Sequence, residues 1–175
     1  MTSRIDRRFF LSATASALLG TAVPLRAAPA PSVPPGHALA GNTLEGQRYE
    51  LAQDAGKAVL VFFWSTDCAV CRDKMPELRA NYEAWRDKPF QLVAVSLNRS
   101  LAAVREYDAI LNRVVPMKQQ FPMLWRADAT HRDDFGAMAQ TPTSFILDKQ
   151  HREVKQIRGR IDASLWDDIA ELVLT

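Results

Sequence analysis

Ala58-Val59-Leu60-Val61-Phe62-Phe63-Trp64, followed by Ser65-Thr66-Asp67 and then Cys68-Ala69-Val70-Cys71, is the stretch that decides the fold. The first seven residues are apolar without interruption and are β-branched or aromatic where they are large. That composition and length describe a strand buried on both faces. The polar tripeptide ends it. Beyond, Val70, Met75, Leu78, Tyr82 and Trp85 recur at roughly helical intervals, so residues 69–87 are expected to form a helix, kinked at Pro76. A buried strand therefore runs straight into a helix that opens on a Cys-x-x-Cys.

The pattern continues downstream. Residues 90–97 read as a second buried strand, and Asn98-Arg99-Ser100 as the start of a helix reaching to about Val114. Residues 121–126 read as a third strand, 133–138 as a short helix, 143–147 as a fourth strand and 154–159 as a fifth after a charged turn. Asp162 caps a last helix over residues 163–173. Upstream, residues 41–51 hold short extended pieces around the turn signal Leu44-Glu45-Gly46-Gln47. Parallel crossovers followed by a hairpin make an α/β sandwich with a central mixed sheet flanked by helices.

The position of the cysteines carries the chemistry. Thiol exchange needs a thiolate, and a free cysteine has a pKa of about 8.5. A helix N-terminus supplies roughly half a positive charge together with unpaired N–H groups, which favour the anion. Cys68 is placed there as the attacking thiol. Cys71, one turn on and on the inner side, is the resolving thiol that releases a mixed disulfide. An inert structural disulfide is the competing reading. So short a loop removes little entropy from the unfolded chain, which makes it a poor staple.

Composition narrows the classes further. The 175 residues are 47% hydrophobic and 24% charged, enough apolar material for one domain with a core that needs no disulfide staples. The net charge of +2, with no basic clusters interleaved with aromatics, argues against nucleic-acid binding. The two cysteines lie in one motif and the three histidines, His37, His131 and His151, are scattered, so the second ligand pair of a structural zinc site is missing.

Residues 1–27 read as a signal peptide: an arginine-rich start, an apolar stretch over residues 9–23, and small residues at Ala27, Ala28 and Ala30. Asp6-Arg7-Arg8-Phe9-Phe10-Leu11-Ser12 matches a twin-arginine export motif, with an ordinary Sec signal or a retained N-terminal anchor as alternatives. Arg4, Arg7, Arg8 and Arg26 against Asp6 account for the positive excess of the chain. Residues 28–40 are an Ala/Pro-rich linker, and residues 41–175 form the domain. Export places the dithiol where disulfide chemistry operates, in the periplasm.

The run Phe63-Trp64-Ser65-Thr66-Asp67-Cys68-Ala69-Val70-Cys71-Arg72-Asp73-Lys74-Met75-Pro76-Glu77-Leu78 resembles the active-site segment of the TlpA/ResA family of extracytoplasmic thioredoxin-like disulfide reductases, which includes the cytochrome c maturation thioredoxins. Gln140-Thr141-Pro142-Thr143-Ser144-Phe145-Ile146-Leu147-Asp148 is similar to the family's cis-proline loop and following strand. The resemblance covers residues 41–174. It implies a thioredoxin-like fold and a protein disulfide oxidoreductase, with no cofactor beyond the redox-active Cys68–Cys71 disulfide. It also implies a cis bond before Pro142, a Thr141 backbone offered to a bound substrate strand, and Trp64 shielding the dithiol. The expected partners are an oxidised partner protein and a membrane electron donor.

Departures from the family qualify the direction of the reaction. Asp67 stands where many relatives carry Trp, and its carboxylate is expected to raise the Cys68 thiol. Ala69-Val70 has neither the proline of common reductases nor the histidine of strong oxidants. Lys74 occupies the place of a frequent Glu, and Phe62 that of thioredoxin's buried Asp. Asp73 is turned about 100° away on the helix. Lys74 is either a stabiliser of thiolate or, the favoured reading, a solvent-facing lysine. A reductase is the first hypothesis, a thiol oxidase or isomerase the second. A dithiol Cu(I)-binding protein without redox turnover is the third, and it lacks a supporting Met-rich or His-rich segment.

Overall fold

The computed structural model describes residues 36–174. The expectations for the signal peptide, and for residues 28–35 of the linker, lie outside the described residues. Within them the order is β1 (Leu39–Asn42), β2 (Arg48–Glu50), β3 (Ala58–Trp64), α1 (Ala69–Ala84), β4 (Phe90–Ser96), α2 (Leu101–Leu111), β5 (Met123–Trp125), β6 (Arg132–Asp133), β7 (Thr143–Leu147), β8 (Glu153–Arg158) and α3 (Leu165–Leu174). β1 begins two residues before position 41, where the sequence places the start of the domain.

The central sheet has the order β5-β4-β3-β7-β8. β3 pairs in parallel with β4, and β4 with β5, while β7 runs antiparallel to both β3 and β8. This is the mixed sheet expected from two crossovers and a hairpin. All seven residues of β3 and all seven of β4 are buried. Alternation along β3 divides them between two apolar layers. Leu60, Phe62 and Trp64 pack with Met75 and Leu78 of α1, Val104 of α2, and Leu165, Ile169 and Val173 of α3. Val59, Val61 and Phe63 pack with Leu39, Tyr49, Leu51, Phe135 and Phe145. Each such large side chain contributes on the order of 1.5–3 kcal/mol. Helices thus cover one face of the sheet. A three-stranded sheet, β2-β1-β6, belongs to the other.

One expected element is replaced. Residues 133–138 do not form a helix; Arg132–Asp133 is strand β6, antiparallel to β1. The cause is local. The Asp133 carboxylate accepts from the backbone N–H of Phe135 at 3.2 Å, and Gly136 takes φ +73, a left-handed conformation that ends any helical path. The remaining differences are of length: α1 stops at Ala84, α2 at Leu111, and α3 starts at Leu165 after Asp162 accepts from the Ser164 N–H at 2.9 Å. Among the described residues no helix is long and apolar enough to cross a membrane.

Candidate active site

β3 delivers the chain to the edge of the core at Trp64, and α1 begins at Ala69, so Cys68 is the N-cap residue of α1. Its backbone is extended (φ −83, ψ 105), and its Sγ accepts from the Cys71 N–H at 3.0 Å. That sulfur therefore lies among the unpaired N–H groups of the first turn, where a thiolate is stabilised. Cys68 and Cys71 are joined as a disulfide with Cα atoms 5.2 Å apart. Cys68 is partly exposed, while Cys71 is fully buried. The partly exposed member of the pair is thus the N-cap residue, and the buried member lies one turn into the helix, as the sequence leads one to expect.

The loop before Cys68 is held from β4. The Asn98 side-chain oxygen accepts from the Thr66 N–H at 3.0 Å and from the Ser96 hydroxyl at 2.9 Å. Its amide nitrogen donates to Thr66 Oγ1 at 2.5 Å, and its backbone oxygen accepts from Trp125 Nε1 at 2.7 Å. Arg72 reaches back to the Thr66 carbonyl. Sequence reasoning took Asn98 only as a helix-start residue; its partner Thr66 is 32 positions away, and no local signal marks the pair.

Trp64 is fully buried in the layer that includes both cysteines, with its ring 5.1 Å from that of Tyr107. Its indole N–H has no hydrogen-bond partner among the described residues. Phe62, at the place of thioredoxin's acid, is fully buried too. Asp67 is exposed. Asp73 is exposed and paired with Arg160.

Lys74 overturns the expectation of a solvent-facing lysine. The residue is 7% exposed and lies on the buried stripe of α1 that includes Cys71, Met75 and Leu78. Its Nζ donates to Glu77 Oε2 at 2.7 Å, and Trp166 Nε1 of α3 donates to Glu77 Oε1 at 2.9 Å. Burial pushes the Glu77 carboxyl up, but the bonds from Lys74 and Trp166 outweigh it and hold the group below the usual carboxylate range. The lysine is buried because its charge has found a partner.

Thr141 and Pro142 come to the same end of the sheet from β7. Thr143 pairs with Phe63, next to Trp64, and the Thr141–Pro142 peptide is cis. The Pro142 carbonyl accepts from the Gly159 N–H at 2.8 Å. The segment leading to Thr141 is anchored by a network absent from the sequence reading. Arg126 donates to both oxygens of Asp133, at 2.8 and 2.6 Å, and to the Gly136 carbonyl at 2.6 Å, while lying over the Phe63 ring at 5.1 Å. His131 Nε2 is 2.8 Å from the same carboxylate. Burial raises Asp133, but these bonds win and bring it down to about 2. An open groove of about 400 Å³, lined by Leu97, Asn98, Arg126 and Ala127, connects the two anchors. A larger cavity, of about 470 Å³, is lined by His37, Glu50, Arg132 and His151 among others and includes neither cysteine.

A dithiol at a helix N-terminus, beside a proline-led strand, lies in a chain of which residues 26–157 match the AhpC/TSA family. The chain belongs to the AhpC/TSA family. The thiol-disulfide oxidoreductase ResA of Bacillus subtilis is 27% identical over 131 residues, covering 73% of this chain and 68% of its own length. ResA of Bacillus thuringiensis is 28% identical over 116 residues, covering 66% of this chain and 63% of its own. The match thus spans slightly less than two thirds of that relative. Among solved structures, a thiol:disulfide interchange protein of the thioredoxin family from Chlorobium tepidum superposes with a TM-score of 0.64 at 22% identity, over 81% of this chain and 96% of its own. StoA from Bacillus subtilis gives 0.57 at 21% identity, over 78% and 97%. These likenesses show that this AhpC/TSA member has the thioredoxin fold.

Proposed function

We propose that this protein is an exported thiol–disulfide oxidoreductase that reduces the disulfide of a specific partner protein in the periplasm. The observation that carries the reading is the asymmetry of the pair: Cys68 partly exposed at the N-cap of α1, Cys71 fully buried one turn on. The names of the ResA relatives support it. In the reduced protein the Cys68 thiolate attacks a sulfur of the partner's disulfide. A Cys68–partner bond forms, and the partner's other sulfur leaves as a thiolate that takes a proton. The Cys71 thiolate then attacks Cys68 Sγ. The Cys68–Cys71 disulfide forms and the second partner sulfur leaves. The partner gains two electrons and the dithiol loses two.

The Thr141 backbone, two residues before β7, offers hydrogen bonds to an extended partner segment, and the groove past Asn98 and Arg126 takes its flanking side chains. Export rests on the arginine-led N-terminal segment. The electrons that restore the dithiol then come from a membrane donor. The test is trapping: Cys71→Ser accumulates a stable mixed disulfide through Cys68 with an oxidised protein substrate, and Cys68→Ser accumulates none. Equal trapping by both variants contradicts the assignment.

A further inference from the structure

We propose that Arg126 is a substrate-binding residue, whose free guanidinium nitrogen takes an oxygen of the partner segment in the groove beside the dithiol loop. The inference rests on the redox role proposed above and names what the groove recognises. A guanidinium has five N–H donors in a planar fork. Three of them are used inside the chain. Nε and Nη2 donate to the two oxygens of Asp133, at 2.8 and 2.6 Å, and Nη2 also donates to the Gly136 carbonyl at 2.6 Å. Nη1, which carries the other two, has no partner among the described residues. Unlike Arg79 Nε, it is not an orphaned donor sealed in the interior. The group is also fixed before any partner arrives. The Asp133 side chain that grips it is 3% exposed, and the Phe63 ring lies 5.1 Å from the guanidinium carbon. A planar donor held in this way loses little freedom on binding.

Its neighbours place it at the partner's path. Arg126 lines the open groove of about 400 Å³ together with Leu97, Asn98 and Ala127. The Asn98 side chain in that lining holds the Thr66 N–H and hydroxyl, two residues before Cys68. In the other direction Arg126 grips Gly136, in the segment that leads to Thr141 and the cis peptide. Phe63, which the guanidinium covers, pairs with Thr143 of β7. The residue thus joins the dithiol loop to the backbone offered to the partner. An extended segment carries unpaired carbonyl oxygens along its free edge. A carboxylate side chain offers the same acceptor with a charge. The other charges near the groove are mixed. Arg99, exposed next to Asn98, has no carboxylate partner among the described residues. Asp67 is exposed on the dithiol loop, and Asp128 is bonded to Thr130 and feels His131 and Arg105. The preference for an oxygen comes from the two free donors of Nη1 rather than from a net field.

The test follows oxidation of the reduced protein by two kinds of disulfide, read by thiol alkylation. One is bis(2-hydroxyethyl) disulfide, which has no carbonyl or carboxylate oxygen. The other is a short peptide with one internal disulfide, flanked on both sides by alanine or, in a second peptide, by glutamate. The quantity compared is the second-order rate constant for the peptide divided by that for the small disulfide. Arg126→Lys keeps a cation for Asp133, but one ammonium cannot hold that carboxylate and reach a partner together. It is expected to lower the ratio about tenfold, the size of a hydrogen bond from a charged donor. Ala127→Trp fills the groove from an exposed position, leaves the bonds of Arg126 in place, and is expected to lower the ratio as well. A merely distorted site slows both disulfides alike. A ratio that stays at the parent's value in either variant therefore overturns the proposal. A loss with both peptides marks a backbone carbonyl as the acceptor, and a loss confined to the glutamate peptide marks a carboxylate; each supports it. A dithiol inert toward every disulfide sinks the redox reading and this one with it, whereas an active dithiol with an unchanged ratio sinks the Arg126 assignment alone.

Discussion

Replacing Asn98 by alanine tests how the site is held. The side chain makes three hydrogen bonds, to the Thr66 N–H, the Thr66 hydroxyl and the Ser96 hydroxyl, and the residue is 7% exposed. Each bond contributes about 1 kcal/mol net, and a buried group left without its partner adds about 1–3 kcal/mol. Ser96 is fully buried, and its hydroxyl loses the acceptor for its proton while still accepting from the backbone N–H of residue 98 at 3.2 Å, whereas Thr66 is partly exposed and recovers water. With the unpaired-group cost at its low end, the sum is a loss of about 4 kcal/mol. With a urea slope of about 2 kcal/mol/M, the unfolding midpoint of the oxidised protein falls by about 2 M. Because Thr66 lies two residues before Cys68, the same variant is expected to lose disulfide-reductase turnover in conditions where it remains folded. A stability change under about 0.5 kcal/mol, the size of an ordinary surface substitution, refutes the reasoning.

Other outcomes follow from the same contacts. Asp133 has its folded-state pKa depressed from 3.8 to about 2, so its carboxylate contributes about 2 kcal/mol that is fully present above pH 4 and is lost as pH falls through 2. Acid unfolding of Asp133→Asn should therefore be shallower than that of the parent protein, and an identical acid profile contradicts the assignment. Burial, reinforced at Tyr49 by the Asp54 carboxylate, raises all three tyrosines above their usual value, Tyr49 most of all. A spectrophotometric titration should show Tyr49 ionising only as the protein unfolds in alkali, with Tyr49→Phe removing that late step; three phenols titrating together near pH 10 disagree with the packing. At Gly41 an added Cβ would meet Leu124 Cδ2 at 3.0 Å and His131 Nδ1 at 3.1 Å. Gly41→Ala should cost about 1–3 kcal/mol in chemical denaturation, and an unchanged midpoint means that His131 yields freely.

The central strands were legible because each is a seven-residue apolar run that has no solvent face to alternate with. The Cys-x-x-Cys was legible for a related reason: its place between such a strand and a helical period is a local pattern. β6 was not, since two residues carry no period, and their strand character comes from pairing with β1 far earlier in the chain. Asn98 and Arg126 act through partners distant in sequence or through backbone groups, which composition does not mark. Lys74 was misplaced because the general preference of lysine for solvent says nothing about a carboxylate that α3 brings into line. Thr141 and Pro142 entered through resemblance alone. Their position beside Phe63 and Trp64 is a property of strand register, which the sequence leaves open.

The most direct test of the account is the reduction potential of the Cys68–Cys71 pair, equilibrated against glutathione and dithiothreitol buffers and read by thiol alkylation. A disulfide reductase requires a value near or under about −220 mV. A value near about −120 mV, that of a strong oxidant, would contradict the account and make the protein a disulfide donor.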